Sequence, residues 1–165
     1  MLKFLLGFIL LFVLSPVFAS HKIFVIHGYA CPRMWMKKID NSLKRGHFIT
    51  ENYGYKSMRE DLDSIGKHLY QDIKKSGVDT VSFVTHSMGA LVVRSMIQYS
   101  RSDKNFPLIY RIVMIAPPNT GAELADFLTS FRILKKLMGP NMQYMKTDSG
   151  CYACRLPIPY GSEVG

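Results

Sequence analysis

The stretch Val81-Ser82-Phe83-Val84-Thr85-His86-Ser87-Met88-Gly89-Ala90-Leu91-Val92-Val93-Arg94 restricts the fold more than any other part of the chain. Val81 to Val84 is short, apolar and β-branched, which suits a buried strand of a central parallel sheet. It stops at Ser87 among small residues, and a helical stripe that includes Leu91 and Met96 starts at once. A strand that turns this sharply into a helix holds its corner residue in a strained conformation. The positions two before and two after must be small, and here they are Thr85 and Gly89. The pattern is that of a nucleophile elbow, with the Ser87 hydroxyl raised at the carboxyl edge of the sheet. The unpaired N–H groups and positive dipole end of the new helix favour the oxyanion formed when Ser87 attacks a carbonyl. A plainer reading is a Ser that N-caps the helix, which Ser does readily. The local pattern leaves both open, because Thr85 stands where the first Gly of G-x-S-x-G would be.

The 165 residues amount to one domain with room for a real core, and no internal repeat or low-complexity tract is visible. Residues 1–19 stand apart. Lys3 gives a basic start, Phe4 to Leu14 is almost wholly apolar, and Ser15-Pro16 breaks the run. Val17 and Ala19 fit a signal-peptidase site before Ser20. The segment is short for a membrane span, so 1–19 reads as a cleaved signal peptide and the protein as exported, periplasmic or secreted. A retained N-terminal membrane anchor is the alternative.

The net charge of +9 is spread over Lys37, Lys38, Lys44, Arg45, Lys74, Lys75, Arg101, Lys135 and Lys136, mostly on polar helix faces. No single basic stripe interleaves with aromatics, so nucleic acid is not an expected partner. Peripheral contact with an anionic membrane is a secondary possibility. Of the three cysteines, Cys151 and Cys154 could close a tight disulfide in an exported protein, leaving Cys31 unpaired or paired elsewhere. Zinc needs about four ligands, and no second Cys or His pair sits at usable spacing, so no metal is expected.

Along the chain, Lys22 to Ile26 reads as a strand ending in His27-Gly28-Tyr29. Met36, Ile39 and Leu43 share a helical face, which Gly46 closes. Phe48 to Tyr53 reads as a second strand. Ser57-Met58-Arg59-Glu60 has the form of a capping box before the stripe Leu62, Ile65, Leu69 and Ile73, and Gly77 ends that helix. After the elbow helix, Arg111 to Ala116 forms a further buried strand leading to Pro117-Pro118-Asn119-Thr120-Gly121. Such alternation implies a parallel sheet with helices on both faces and a ligand site beyond the carboxyl ends of the strands.

Four segments in this order and spacing resemble the α/β-hydrolase superfamily, and within it the lipase-like bacterial esterases. They are Ile26-His27-Gly28-Tyr29, Val84-Thr85-His86-Ser87-Met88-Gly89, Ile115-Ala116-Pro117-Pro118-Asn119-Thr120-Gly121 and Gly139-Pro140. The resemblance covers nearly all of residues 20–165. It implies Ser87 as nucleophile, the backbone N–H groups of Met88 and Tyr29 as oxyanion donors, and His27, Gly28, His86 and Gly89 as supporting positions. It also implies hydrolysis of a lipid or small carboxylic ester without a cofactor, with lid and acyl pocket in segments such as Leu124 to Met138.

In that superfamily the acid and the His follow the nucleophile. Here all five histidines (His21, His27, His47, His68 and His86) precede Ser87. His86 should point away from the Ser87 hydroxyl, and His27 should hydrogen-bond its loop. Tyr160 to Gly165 ends in what looks like the approach to another strand. The expectation is a hydrolase domain incomplete at its C-terminus, lacking the acid and His. Two other classes compete: an inactive scaffold that binds lipid or a partner protein, and an acyltransferase that hands the same acyl group to an alcohol.

Overall fold

The structure, a computed structural model, describes residues 20–118, 140–141 and 163–164. The leader 1–19, the segment Leu124 to Met138, Gly139, most of the Pro117 to Gly121 loop, and Cys151 and Cys154 lie outside these residues. The strands β1 (His21–Ile26), β2 (Ile49–Tyr53), β3 (Thr80–His86), β4 (Leu108–Ile115) and β5 (Glu163–Val164) form one sheet in the order β2-β1-β3-β4-β5. Every pairing is parallel, with Phe24 opposite Phe83 and Phe83 opposite Ile112. The Val81–Val84 run therefore lies between the two strands expected to flank it. The short β5 falls within the C-terminal stretch read as the approach to a strand.

Helices α1 (Lys37–Arg45), α2 (Leu62–Lys75) and α3 (Gly89–Ser100) make the crossovers that parallel neighbours need. Alternation along the strands sorts side chains onto two faces. Phe24, Ile26, Val81, Phe83, Ile112 and Met114 share one face and pack with Leu62, Ile65, Leu69 and Ile73 of α2 and Leu91 and Met96 of α3. On the other face, Leu43 of α1 and Phe48 border a cavity of about 370 Å³ over Ile23, Val84 and Val113. Helices thus lie on both faces, as α/β folds require.

Two local readings are corrected and one is borne out. Asp61, not Ser57, caps α2: its carboxylate accepts from the Ser64 N–H at 3.0 Å, while Ser57 is buried elsewhere. Gly46 is the C-terminal cap of α1, as expected from the sequence, with φ −79°; the left-handed residue after it is His47, at φ 63°. Finally, β4 is buried on one side only, because Ile112 and Met114 face the α2–α3 layer while Arg111 and Ile115 on the alternate face stay exposed.

The α2–α3 layer sits close because Gly66 of α2 has no side chain. A Cβ there would lie 2.6 Å from Ser95 Cβ and 2.9 Å from the Met96 backbone nitrogen. Gly66→Ala gains about 1 kcal/mol of helix propensity, yet must push α2 off a backbone atom, which costs about 1–3 kcal/mol. Denaturant unfolding should therefore show a net loss of stability, and an unchanged or raised midpoint would contradict this packing.

Candidate active site

Chain direction creates the site. From β1 the chain moves outward to β2, then returns past β1 to β3, so the connections from β1 and β3 leave in opposite directions. A crevice opens at the carboxyl ends of such a pair. Gly28 follows β1 there, and Ser87 follows β3.

Ser87 has φ 51°, in the left-handed region that a side chain occupies only at a cost of about 1–3 kcal/mol. Two backbone bonds hold it: its N–H donates to the Ile115 carbonyl at 2.9 Å, and its carbonyl accepts from the Ala90 N–H at 3.0 Å. The helix starts immediately, with Leu91 and Val92 donating to the Met88 carbonyl. The Met88 and Gly89 N–H groups precede these bonds and have no intrahelical acceptor. A simple N-cap residue would have extended backbone geometry and not a positive φ.

The small residues have clear reasons. A Cβ on Gly89 would lie 2.8 Å from the carbonyl oxygens of both Ile26 and His27, so the start of α3 abuts the end of β1. A Cβ on Gly28 would lie 3.1 Å from Ser87 Cβ and 3.0 Å from His86 Nδ1. The loop after β1 and the elbow after β3 are in contact, and neither has room for more bulk. Thr85 is fully buried, and its hydroxyl is directed to the Val113 carbonyl at 3.4 Å, so it fills a place beside β4.

His27 is buried and committed to its loop. Its Nδ1 contacts the Gly28 carbonyl at 2.8 Å, which makes Nδ1 the protonated nitrogen, and Nε2 accepts a long 3.5 Å bond from the Tyr55 N–H. The Tyr55 ring stacks on the imidazole at 4.2 Å between centroids, and its hydroxyl donates to the His27 carbonyl at 2.6 Å. Burial pushes the Tyr55 phenol upward and the His27 imidazole downward. His21 is bonded to Ser82 near the amino edge of the sheet, His68 lies 3.8 Å from the Glu60 carboxylate, and His47 follows α1. Met88 is buried, and Tyr29 is half-buried against the core, where burial raises its phenol.

Sequence reasoning missed the supports of the loop. Ala30, at φ 52°, donates its N–H to Ser57 Oγ at 3.0 Å. Asn141, also buried, donates from Nδ2 to the Ser57 carbonyl at 2.7 Å and to the Glu60 carbonyl. The only sequence signal was Gly54, which marks a loop at the carboxyl end of β2; its partners come from distant segments. Among the described residues, Cys31 in this loop is not in a disulfide. Among the described residues, no cluster of three His, Cys, Asp or Glu side chains could hold a metal.

The family model described as "Putative serine esterase (DUF676)" matches residues 20–129, which include both the Gly28 loop and the Ser87 elbow. The chain belongs to the DUF676 family. No curated protein matches it. Solved structures do. Phospholipase PlaB from Legionella pneumophila superimposes with a TM-score of 0.55 at 18% identity, over 83% of this chain and 34% of that one. The mature lipase BlEst2 of Bacillus licheniformis gives 0.61 at 18% identity, over 81% of this chain and 58% of the lipase. An extracellular α/β-hydrolase from a Paenibacillus species gives 0.58 at 17% identity, over 70% and 52% of the two chains. At such identities the likeness concerns the fold, which is that of the α/β-hydrolases. This DUF676 chain spans about a third of the phospholipase and just over half of the other two.

Protonation of the buried His27 is opposed by desolvation, so the unfolded chain takes up the proton first. The sign follows: this residue's contribution is complete above its ordinary value of 6.5 and declines as pH falls below it. The denaturation midpoint should drop between about pH 7.5 and about pH 5, and His27→Gln should flatten part of that slope. An identical slope in the variant would show that His27 is not the group responsible.

Proposed function

We propose that this DUF676 chain is an exported serine carboxylic ester hydrolase acting on a lipid or small ester through an acyl-enzyme on Ser87. The observation that carries the reading is the left-handed Ser87 at a strand–helix corner, pressed against Gly28. Strain of this kind in a non-glycine residue persists only where surrounding structure enforces it, and it is a recurring feature of nucleophile sites. Serine esterase membership and fold likeness to lipases and a phospholipase support the same chemistry.

In this mechanism Ser87 Oγ attacks the acyl carbon and the carbonyl π electrons move onto oxygen. The Met88 N–H, at the positive end of α3, and the Tyr29 N–H, next to Gly28, receive that oxyanion. Collapse expels the alcohol, which takes up the proton that the Ser87 hydroxyl gave up on attack, and leaves the acyl group on Ser87. Water then repeats the sequence and releases the acid. His27 has both nitrogens engaged by its loop, so this reading does not take it as the general base. The leader 1–19 is assigned the export step.

The same histidine placement favours a second reading, a DUF676 scaffold that binds lipid without turnover. Labelling separates them. An unassisted Ser87 with a formed oxyanion hole should leave a residual acceleration on the order of 10³–10⁴ over water. Slow fluorophosphonate labelling and slow nitrophenyl-ester turnover by the 165-residue chain, both abolished in Ser87→Ala, are expected. Labelling that survives Ser87→Ala would refute the nucleophile, and no Ser87-dependent labelling would favour the scaffold. Fast labelling lost in Ser87→Ala would place a base within the chain.

A further inference from the structure

Just past the candidate oxyanion loop the chain turns outward and exposes its largest apolar side chains. A 3-10 turn, Arg33–Met36, is pinned by the buried Met36, by the Trp35 N–H donating to the Pro32 carbonyl at 3.1 Å, and by Asn52 Nδ2 donating to the Arg33 carbonyl at 3.0 Å. The geometry that buries Met36 turns its two predecessors out: Met34 is 67% exposed and Trp35 is 70% exposed. A shallow groove of about 330 Å³ runs from Ala30 to Pro32 on one side and Met58 to Arg59 on the other, and Met58 is also exposed. Pro32, which lines this groove together with Met58, leads directly into the exposed Met34 and Trp35.

Cationic residues flank these side chains in the chain. Arg33, Lys37, Lys38 and Arg59 are exposed, and among the described residues none of them forms an ion pair. The acidic side chains nearby are already engaged. Asp40 is buried, accepting from Thr50 and Lys44, and Glu60 lies near Lys56 and His68. A second copy of the same face would bring like charges together. Trp belongs to the boundary between hydrocarbon and headgroups, and exposed cations around it complement anionic phosphates.

We propose that Met34, Trp35 and Met58, ringed by Arg33, Lys37, Lys38 and Arg59, form a docking surface for an anionic phospholipid bilayer. The turn lies at the carboxyl edge of the sheet, where Ser87 also sits, because Asn52 near the carboxyl end of β2 holds the Arg33 carbonyl. Docking would bring the crevice to the lipid surface; the binding itself does not depend on the hydrolase reading.

Trp35 is the only tryptophan in the chain, so its emission reports this patch alone. The full chain is titrated with vesicles of phosphatidylcholine, with and without phosphatidylglycerol, and with lipids brominated along their acyl chains. With the anionic vesicles, Trp35 emission should move to shorter wavelength and be quenched by the brominated chains. Neutral vesicles should do neither. Losing one charge weakens such attraction roughly fivefold, so Lys37→Gln with Lys38→Gln should raise the half-saturating lipid concentration on the order of 25-fold. Met34→Ser should weaken binding while keeping the reporter, with unchanged circular dichroism showing that the variants fold. Co-sedimentation without a Trp35 shift would mean that the leader 1–19 alone binds, and would overturn the proposal. An equal shift on neutral vesicles, or one that follows protein concentration without lipid, would overturn it too; the latter would mean self-association.

Discussion

The contact between the carboxyl ends of β1 and β3 governs the arrangement of everything near the site. Gly89 sits under the carbonyls of Ile26 and His27, and Gly28 sits against Ser87 and His86. Gly89 leaves no room for a side chain and Gly28 leaves very little, so each strand end limits what the other can carry. The consequence runs in both directions. The start of α3 can lie against the end of β1 only because Gly89 carries no side chain. The loop after β1 can lie over the elbow only because β3 turns away at once. A strained Ser87 persists because its neighbours on both sides leave it one conformation, with the Ile115 carbonyl fixing its N–H from β4.

A second layer of polar contacts holds the loop in register with that contact. His27 and Tyr55 are bonded reciprocally through backbone and side chain and stacked face to face, so the ends of β1 and β2 move as one. Ser57 then receives the Ala30 N–H, and Asn141 ties the Ser57 and Glu60 carbonyls to a segment more than 80 residues away. Buried polar groups of this kind stabilise one geometry, since leaving any of them unpaired costs about 1–3 kcal/mol. The loop that bears Tyr29 is therefore braced from three directions, which suits a site whose chemistry depends on fixed backbone dipoles.

The charge distribution has a different logic from the core. Most of the net positive charge is dispersed over helix faces, and several cations are locally neutralised, as with Lys44 on Asp40 and Lys74 on Asp103. Around the 3-10 turn they are not, and there the exposed side chains include Trp35 and Met34. Apolar bulk and unbalanced positive charge coincide at the edge of the sheet that carries the nucleophile candidate.

Much of the fold was legible in the sequence because burial leaves a periodic trace. The apolar runs of β1 and β3, the 3.6-residue stripe of α2 and the small residues at the elbow each reflect a local requirement that few residue types meet. From them follow the parallel sheet, the central place of β3 and the location of Ser87 at its carboxyl end. Only the tertiary structure decided which residues brace the loop. Ser57 reads as a cap by sequence spacing, yet Asp61 takes that role and Ser57 serves Ala30, because hydrogen-bond partners are chosen by spatial neighbours and not by sequence offset. The stacking of Tyr55 on His27 and the exposure of Trp35 beside a buried Met36 are likewise products of packing. An aromatic residue has the same letter whether it is buried or turned to the surface, and only the fold assigns it a side.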